Sequence, residues 1–488
     1  MARYKWVASA LLGIALLSAG YETCSAQLYG PVLSPVPELP TLSPSPLRSF
    51  QGGQSFFAPF PSPESLVPAP VFEEPPAELL PAPASGETPE MAAPESFSVQ
   101  TPSISPNEIM PSTQPHLQLG GVVQANYDSN IFIQQTHAQS DVYFVLAPMI
   151  AVANGGYSGP LQAQAESLLQ AQSFGNADLF QAPTQPFYYL LYMPSYTAFA
   201  SHSNLNSFDN DVSGAAQIIL QRIAVGAFAR FQTFRSPDID VGTRTAEQLA
   251  SARAYALYTL SDRTRLEGDV FLQNRDYQSF IGSFEVWNEN WLDYMYSTKT
   301  SLGAGTAVGL LIPSAGPQQY YGRLQARATW SASMKISLAA KAGLELRAVN
   351  ARGARFYPVF GLEGRYAMSS RTLLTLSLYQ QIQSSADQEA LIYLSRGLDV
   401  TIQEKLLDRY LLTLGAGYSY TAYDDAFARI PGGYARSDNF VLANLNLQVK
   451  LNRWVDSQAG IEFRKNESSR AGSSFNEGLA TWMVRFKF

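Results

Sequence analysis

Strict alternation of side chains is the feature of this sequence that most limits its fold. Residues 410–422 place Tyr, Leu and Ala on every second position, and mostly Thr, Gly and Ser on the positions between. Successive side chains of a β-strand point to opposite faces, so a two-residue period predicts a strand with one apolar face. An α-helix would spread the same residues around its circumference. The pattern therefore predicts β-structure.

The alternation recurs at residues 324–330, 336–348 and 440–451, and many of these segments are about ten to fourteen residues long. Strands of globular sheets usually have about five or six residues. A membrane barrel needs longer strands, with one face toward lipid and the other toward the lumen. A soluble β-sandwich shares the alternation, but the strand length favours an all-β fold of the transmembrane, antiparallel, up-and-down barrel type.

Tight turns alternate with longer links between these segments. Short turns are predicted near residues 261–263, 297–299, 369–371, 407–409 and 452–453, and longer links near 235–245, 350–355, 384–389, 424–437 and 466–474. Short periplasmic turns and longer external loops are typical of outer-membrane barrels. The segments predict about eighteen strands, with sixteen as the next alternative.

Residues 153–186 interrupt the pattern with Gly155-Gly156, Gly159-Pro160 and a run rich in Gln and Ala. Residues 161–172 are compatible with a short helix. The whole segment is compatible with an inserted loop, a plug of the lumen or further strands, and the sequence leaves these alternatives open.

The last strand ends on an aromatic residue. One face of it carries Ala480 and then the set Trp482, Val484, Phe486 and Phe488, while Thr481, Met483, Arg485 and Lys487 occupy the other. Soluble chains usually end in a polar, frayed tail. An alternating strand that ends in Phe resembles the signal by which bacterial outer-membrane barrels engage the barrel-assembly machinery.

The first 26 residues predict a secretory signal peptide. Arg3 and Lys5 precede an apolar stretch, residues 6–17, that is too short to span a bilayer. Small residues then precede a cleavage position near Gln27; an uncleaved anchor is the alternative. Tyr, Glu and Thr stand before Cys24, the single cysteine, and argue against a lipoprotein signal.

Residues 27–115 are rich in Pro, Ser, Ala and Glu, with nine Glu, no Asp and one Arg. Such a segment buries little apolar surface, so we expect a disordered, Pro-rich periplasmic linker. A tether that binds a periplasmic or cell-wall partner is the alternative. The barrel domain is predicted over residues 116–488.

Charge is distributed unevenly between these parts. Three of the 33 Lys and Arg and ten of the 40 Asp and Glu precede residue 116, so residues 116–488 hold 30 of each. A formally neutral domain gives no electrostatic basis for binding nucleic acid.

Several segments resemble the β-barrel porin 2 family. They are residues 121–132, which contain Tyr127-Asp128-Ser129-Asn130, then residues 140–148, 292–300, 370–372 and 436–439. The resemblance is spread over residues 116–488 and excludes the Pro-rich linker. It implies an outer-membrane barrel of the porin type, and some members of the family are associated with exopolysaccharide export.

No catalytic or metal-binding pattern stands out, and no cofactor is predicted. His116 borders the linker, whereas His137 and His202 lie in predicted loops without metal-ligand spacing. His202 stands between Ser201 and Ser203, which is the only local pattern that suggests an embedded hydrolase. Gly303, Gly305 and Gly309 alternate along one strand and predict a face of small residues.

Charged residues that alternate with apolar ones are predicted to face the lumen, because Arg on the lipid face at the bilayer midplane costs about 2–4 kcal/mol. These pore-lining candidates are Arg230, Arg265, Glu267, Asp269, Arg323, Arg327, Lys341, Glu345, Arg347, Glu363, Arg365, Asp456, Glu462, Arg464 and Arg485. They either pair across strands or line a wet pore and bias the charge of the solute. Arg396 is an exception, since it shares a face with Leu394 and Leu398.

The sequence predicts a non-enzymatic porin-like channel for passive diffusion, inserted in outer-membrane lipid with its N-terminal arm in the periplasm. Two alternatives are a component of exopolysaccharide export and a structural barrel with a plugged lumen. The transported solute and the oligomeric state do not follow from the sequence.

Overall fold

The computed structural model describes residues 115–154, 186–349, 353–387, 392–407, 409–423, 436–452 and 454–487. The predicted signal peptide, the Pro-rich linker except residue 115, residues 155–185 of the interrupted segment, and Phe488 lie outside the described residues. The described residues form nineteen β-strands and one 3-10 turn, Ser203–Leu205.

The strands are β1 (His116–Asp128), β2 (Asp141–Asn154), β3 (Phe187–Tyr192), β4 (Ser195–Phe199), β5 (Ser207–Ile219), β6 (Ile223–Asp238), β7 (Thr243–Ser261), β8 (Thr264–Tyr277), β9 (Ser283–Ser297), β10 (Thr300–Pro313), β11 (Gln319–Ser333), β12 (Ile336–Val349), β13 (Gly353–Ala367), β14 (Thr372–Ser384), β15 (Ile392–Leu406), β16 (Tyr410–Tyr423), β17 (Ser437–Lys450), β18 (Val455–Ser468) and β19 (Phe475–Lys487).

One antiparallel sheet closes on itself. Apart from β3 and β4, strands that follow one another in the chain are hydrogen-bonded neighbours, and β19 returns to pair with β1, where Val122 lies opposite Arg485. Closure leaves the sheet without an edge, so every strand has two neighbours. The predicted up-and-down antiparallel barrel is confirmed.

The nineteen strands occupy eighteen positions in the wall. β3 and β4 pair with the same two strands, β2 and β5, and keep one register across the break between them. That register places Pro194, in the break, opposite Pro148 of β2. Proline has no backbone N–H, so neither residue donates a ladder hydrogen bond here. The prediction of eighteen strands is confirmed, with one of them interrupted.

The two rims of the barrel differ as predicted. At one rim, the turn side, tight turns such as 262–263, 298–299 and 334–335 join the strands, and β1 begins and β19 ends there. At the other rim, the loop side, links such as 129–140 and 200–206 are longer. The predicted link at 235–245 is too long: β6 and β7 extend to Asp238 and from Thr243, which leaves residues 239–242 as the loop.

The outer face of the wall is apolar, with an aromatic belt near each rim. Exposed aromatic residues near the loop side are Tyr127, Phe144, Tyr196, Phe208, Phe284, Tyr320, Phe356, Tyr418 and Phe463; those near the turn side are Tyr258, Tyr294, Tyr296, Trp330, Tyr366, Tyr410 and Trp454. Tyr and Trp prefer the two interfaces of a bilayer.

The separation of the belts matches a bilayer. In β9, β11 and β13 the belt residues are Phe284 and Tyr294, Tyr320 and Trp330, and Phe356 and Tyr366, and each pair is separated by ten residues. Ten residues of a strand tilted by about 40° rise roughly 25 Å, which is the height of the apolar band in membrane barrels.

Arg396 and Trp482 lie on this outer face. Arg396 is exposed like Leu398, as the alternation predicts, and it lies near the loop-side end of β15. Trp482 is 56% exposed, while Val484 and Phe486 are partly buried. The predicted assembly signal therefore begins on the outer face. No helix among the described residues is long and apolar enough to span a membrane.

Candidate functional site

The interior of the barrel holds the predicted charged residues. All fifteen pore-lining candidates are buried or partly buried, and they alternate with exposed apolar residues on their strands. In β12, for example, Lys341 and Glu345 are buried while Leu344 and Leu346 are exposed. The structure thus places every candidate on the inner face.

An ion-pair network crosses β7 to β11 on this inner face. Arg327 donates through Nε to Asp293 Oδ1 at 2.8 Å and through Nη2 to Glu267 Oε2 at 2.6 Å. Arg253 joins the same network, because its Nη2 lies 2.5 Å from Asp269 Oδ1 and 3.5 Å from Glu267 Oε1. Each cation is shared between two carboxylates, which offsets the desolvation of buried charges.

Trp291 lies beneath two of the cations. The guanidinium of Arg327 is 4.3 Å and Lys341 Nζ is 4.9 Å from the centre of its ring. Lys341 also donates to Glu289 Oε1 at 2.7 Å, and the same oxygen accepts from the indole N–H at 2.7 Å. The ring therefore attracts both cations through cation–π contacts, and its N–H holds the Glu289 carboxylate that pairs with Lys341.

A second network follows toward the loop side. Glu345 accepts from Arg347 Nε at 2.8 Å and from Arg323 Nη2 at 2.5 Å, so that one carboxylate joins two arginines. Arg347 lies over the Tyr321 ring at 4.6 Å, and the Tyr321 hydroxyl donates to Glu285 at 2.8 Å.

The glycines of β10 make room for these side chains. A Cβ atom at Gly303 would stand closer than 3.0 Å to Asp293 and Arg327, and one at Gly305 would stand 2.5 Å from Trp291. The inner face of β10 is thus a shallow groove, over which side chains of β9 and β11 meet. The predicted face of small residues is confirmed.

The remaining candidates pair locally or lie opposite a charge. Arg230 binds Asp211 at 2.6 Å, Arg365 binds Glu363 at 2.7 Å, and Arg464 binds both Glu462 and Glu477. Arg265 lies opposite Asp293 in the register, and Asp456 lies opposite Arg485. Some of these charges pair across strands, as Arg230 does with Asp211, and others pair with a residue two positions away in the same strand, as Arg365 does with Glu363.

The inner wall of β17 and β18 has a different character. Its buried residues include Asn444, Asn446, Gln448 and Gln458, which are neutral and carry both donors and acceptors. The extended charged networks lie on β7 to β12. The row of amides on β17, which we call the amide sector, stands beside the charged residues Asp456, Glu462 and Arg464 of β18.

The loop between β6 and β7 reaches across the loop-side mouth. Ile239 packs against Ile133, Phe440, Leu442 and Phe475. Phe440 and Leu442 belong to β17, seven wall positions away from β6. Gly242, whose φ of 71° lies in the left-handed region, allows the chain to turn here. We call residues 239–242 the mouth loop.

Asp240 anchors the mouth loop. Its carboxylate accepts hydrogen bonds from the Ser385 hydroxyl at 2.8 Å, the Ala386 N–H at 2.6 Å and the Tyr423 hydroxyl at 2.9 Å. Burial raises the pKa of Asp240 to about 6, the neighbouring Asp238 adds to the rise, and Arg436 opposes it.

The side chain of Arg436 binds the backbone of the mouth loop. Its guanidinium donates to the carbonyl oxygens of Ile239 at 2.9 Å and Asp240 at 2.5 Å, and also to Asp438 at 2.6 Å. Asp387 connects Arg436 with Arg470. The contacts tie the mouth loop to three separate loop-side links.

His202 does not form a catalytic relay with its neighbouring serines. Its Nδ1 lies 2.8 Å from Asp141, but its Nε2, where a nucleophilic hydroxyl would stand, lies 2.9 Å from the Gln139 amide oxygen. This geometry orders the loop rather than activating Ser201 or Ser203. Among the described residues, no group of three or more His, Cys, Asp or Glu is arranged to hold a metal ion.

Sequence reasoning missed several members of the networks. They include Asp211, Arg253, Glu285, Glu289 and Asp293 within the wall, and Asp240, Asp387 and Arg436 at the mouth. Asp211 and Arg253 share the parity of their inward neighbours, so alternation was a usable signal for them, whereas the outer face of β9 is interrupted. The contacts at the mouth join links far apart in the chain and carry no sequence pattern.

No protein-family model and no curated protein matches this chain. Solved structures do match its shape: Pseudomonas aeruginosa OpdK with vanillate (11% identity, TM-score 0.40, 76% of this chain and 99% of that one) and Acinetobacter baumannii OccAB3 (8%, 0.42, 76% and 99%). Pseudomonas aeruginosa OccK2 (OpdF) in complex with glucuronate is similar at 9% identity and a TM-score of 0.41, over 77% of this chain and 98% of that one. Identities and TM-scores of this size transfer no function to this chain.

Proposed function

We propose that this chain is a bacterial outer-membrane barrel that acts as a porin-like channel for passive diffusion of small solutes. The observation that carries the proposal is the closed wall of eighteen positions, apolar outside and charged inside. A wall of this type satisfies its backbone within lipid. Barrels of sixteen or more strands usually enclose an aqueous lumen.

The interior supports a weakly selective pore narrowed at the loop side. The inner charges are of both signs and mostly paired, so they bias the charge of a solute less than a ring of one sign would. The mouth loop, tied across the opening by Asp240 and Arg436, narrows the external entrance. The turn side then faces the periplasm.

The remaining sequence expectations belong to this proposal. They are a cleaved signal peptide at 1–26, a disordered Pro-rich periplasmic linker at 27–115 with binding of a periplasmic or cell-wall partner as its alternative role, assembly through the C-terminal strand, and membership in the β-barrel porin 2 family. Phe488, the end of that assembly signal, lies outside the described residues.

Planar-bilayer recording of the full chain tests the channel. We expect stable ohmic current steps, with a reversal potential near zero in a salt gradient. A protein that inserts, migrates in heat-modifiable fashion on a gel and never conducts would reject the channel and leave a plugged structural barrel. A protein recovered only from the soluble periplasm would reject the barrel as well.

The amide sector favours a second candidate, the passage of saccharides, as in exopolysaccharide export. Asn and Gln donate to and accept from hydroxyl groups, and Asn444, Asn446 and Gln448 stand in a row on β17. Neutral oligosaccharides added to one chamber should then interrupt the current in a concentration-dependent way. Conductance that does not respond to them would leave simple diffusion of small solutes.

A further inference from the structure

Every described tight turn ends on a basic residue. Each of these residues directly precedes the first residue of a strand: Arg222, Arg263, Lys299, Lys335, Arg371 and Arg409. All six side chains are exposed, and no ion pair is found for them among the described residues. We call this set the basic turn ring. Arg453 stands in the next turn of the sequence but lies outside the described residues.

An exposed apolar residue lies in each of these turns or at the end of the strand that leads into it. The six are Leu220 (60% exposed), Leu260 (42%), Tyr296 (69%), Met334 (78%), Met368 (50%) and Leu407 (76%). A turn with an apolar side chain beside a cation suits a membrane interface, because the apolar part enters the lipid and the charge reaches the headgroups.

The basic residues are spread around the rim. They occupy six successive hairpins, from β5–β6 to β15–β16, and so follow most of the circumference. At the loop side the arginines are mixed: Arg275 and Arg436 are paired with buried carboxylates, whereas Arg235 is exposed. A compact protein partner would contact one patch, whereas a lipid leaflet contacts the whole rim.

We propose that the basic turn ring binds the phosphates of anionic phospholipid headgroups in the leaflet on the turn side. The inference rests on the membrane barrel proposed above, but not on its conductance. The turn-side aromatic belt places these turns where the hydrocarbon ends, and the headgroups begin at that level. The acidic arm is a competing anion, with nine Glu in residues 27–115. The arm is connected to the wall only at β1. It is therefore a less suitable partner than a lipid leaflet for basic residues that are spread around the rim.

Spin-labelled lipids test the proposal. The full chain is reconstituted in phosphatidylcholine, and the relative association of labelled phosphatidylglycerol and labelled phosphatidylcholine is measured. We expect a two- to five-fold preference for phosphatidylglycerol, weakened by salt. A variant with all six residues changed to Gln should lose the preference. A matched variant that exchanges Arg for Lys and Lys for Arg at the same positions should keep it.

Equal association of the two lipids with the native chain would overturn the proposal. A preference that survives the six changes to Gln would also overturn it, since other groups would then bind the lipid. If the native chain showed no preference but a variant with the nine Glu of the arm changed to Gln did, the basic turn ring of the native chain would be occupied by the arm. A conducting protein without lipid preference refutes this inference alone, and a silent protein with the preference refutes the channel alone.

Discussion

Asp293 of β9 and Arg327 of β11 meet across an intervening strand, because β10 places Gly303 beneath them. Arg327 Nε donates to Asp293 Oδ1 at 2.8 Å, and a Cβ atom at Gly303 would stand closer than 3.0 Å to both residues. The charged interior therefore depends on the absence of a side chain at Gly303 of β10.

Filling this groove should destabilise the barrel. We predict that Gly305→Val lowers the free energy of unfolding by about 1–3 kcal/mol, because its side chain would overlap the Trp291 ring. Urea unfolding in detergent micelles, followed by heat-modifiable gel migration, measures the change. Ala304→Val is the matched control, since Ala304 is exposed on the outer face of the same strand and should leave the midpoint nearly unchanged.

Removing one cation of the network should lower the free energy of unfolding by more than Gly305→Val does, and it should also change the ion selectivity. Arg327→Gln leaves Asp293 and Glu267 without their shared partner, and breaking a buried pair costs about 3–5 kcal/mol. The same change makes the interior more negative, so the reversal potential in a KCl gradient should shift toward cations. Arg235→Gln, at an exposed position, should shift neither quantity. An unchanged potential in a folded Arg327→Gln barrel would mean that these charges do not face the ion path.

A cysteine pair tests whether the mouth loop crosses the opening. A Cβ atom at Gly242 would lie 3.9 Å from the Ser473 Cβ, within the range of a disulfide. We expect Gly242→Cys with Ser473→Cys to crosslink under mild oxidation. Gly242→Cys with Ser314→Cys, at a different loop-side link, should not. The crosslink is read by the mass of a peptide that joins the two segments, and its failure to form would contradict the position of the loop.

The pH dependence of the mouth loop follows from Asp240. Its pKa of about 6 in the folded protein lies above the ordinary 3.8, so the folded state binds the proton more tightly than the unfolded state. The stability that this proton contributes is present at low pH and is lost as the pH rises through about 6.

We therefore expect the mouth loop to be held more firmly at pH 5 than at pH 8. Single-channel conductance should be lower and quieter at pH 5. Asp240→Asn should remove most of that dependence, while Asp276→Asn, an exposed loop-side carboxyl, should keep it. A pH response that is the same in native protein and Asp240→Asn would assign it to other groups.

The wall was largely predictable from sequence, because a two-residue period fixes which side chains share a face. Lys341, Glu345 and Arg347 lie where alternation places them. The inward residues of β9 were not predicted in this way, because polar residues interrupt the apolar pattern of its outer face. Asn288 and Asn290 lie between Val286 and Leu292, and the amide of Asn290 bonds to that of Asn288. Glu289 and Asp293 were hidden behind that break in the pattern.

The mouth could not be predicted in this way. Asp240, Ala386 and Arg436 are brought together by closure of the barrel, and their separation in sequence is too large for any periodic signal. The interruption between β3 and β4 has a comparable cause. Pro148 and Pro194 are single residues in the sequence, and they coincide only once the register of β2 is known.

Cysteine scanning of β12 tests the central claim most directly. Single cysteines at residues 339–346, in a channel recorded in a planar bilayer, are exposed to a charged, membrane-impermeant thiol reagent. We predict that the reagent changes the current at residues 339, 341, 343 and 345, whose side chains point inward, and not at 340, 342, 344 and 346, which face lipid. Modification without alternation, or at the even positions alone, would contradict the barrel described here.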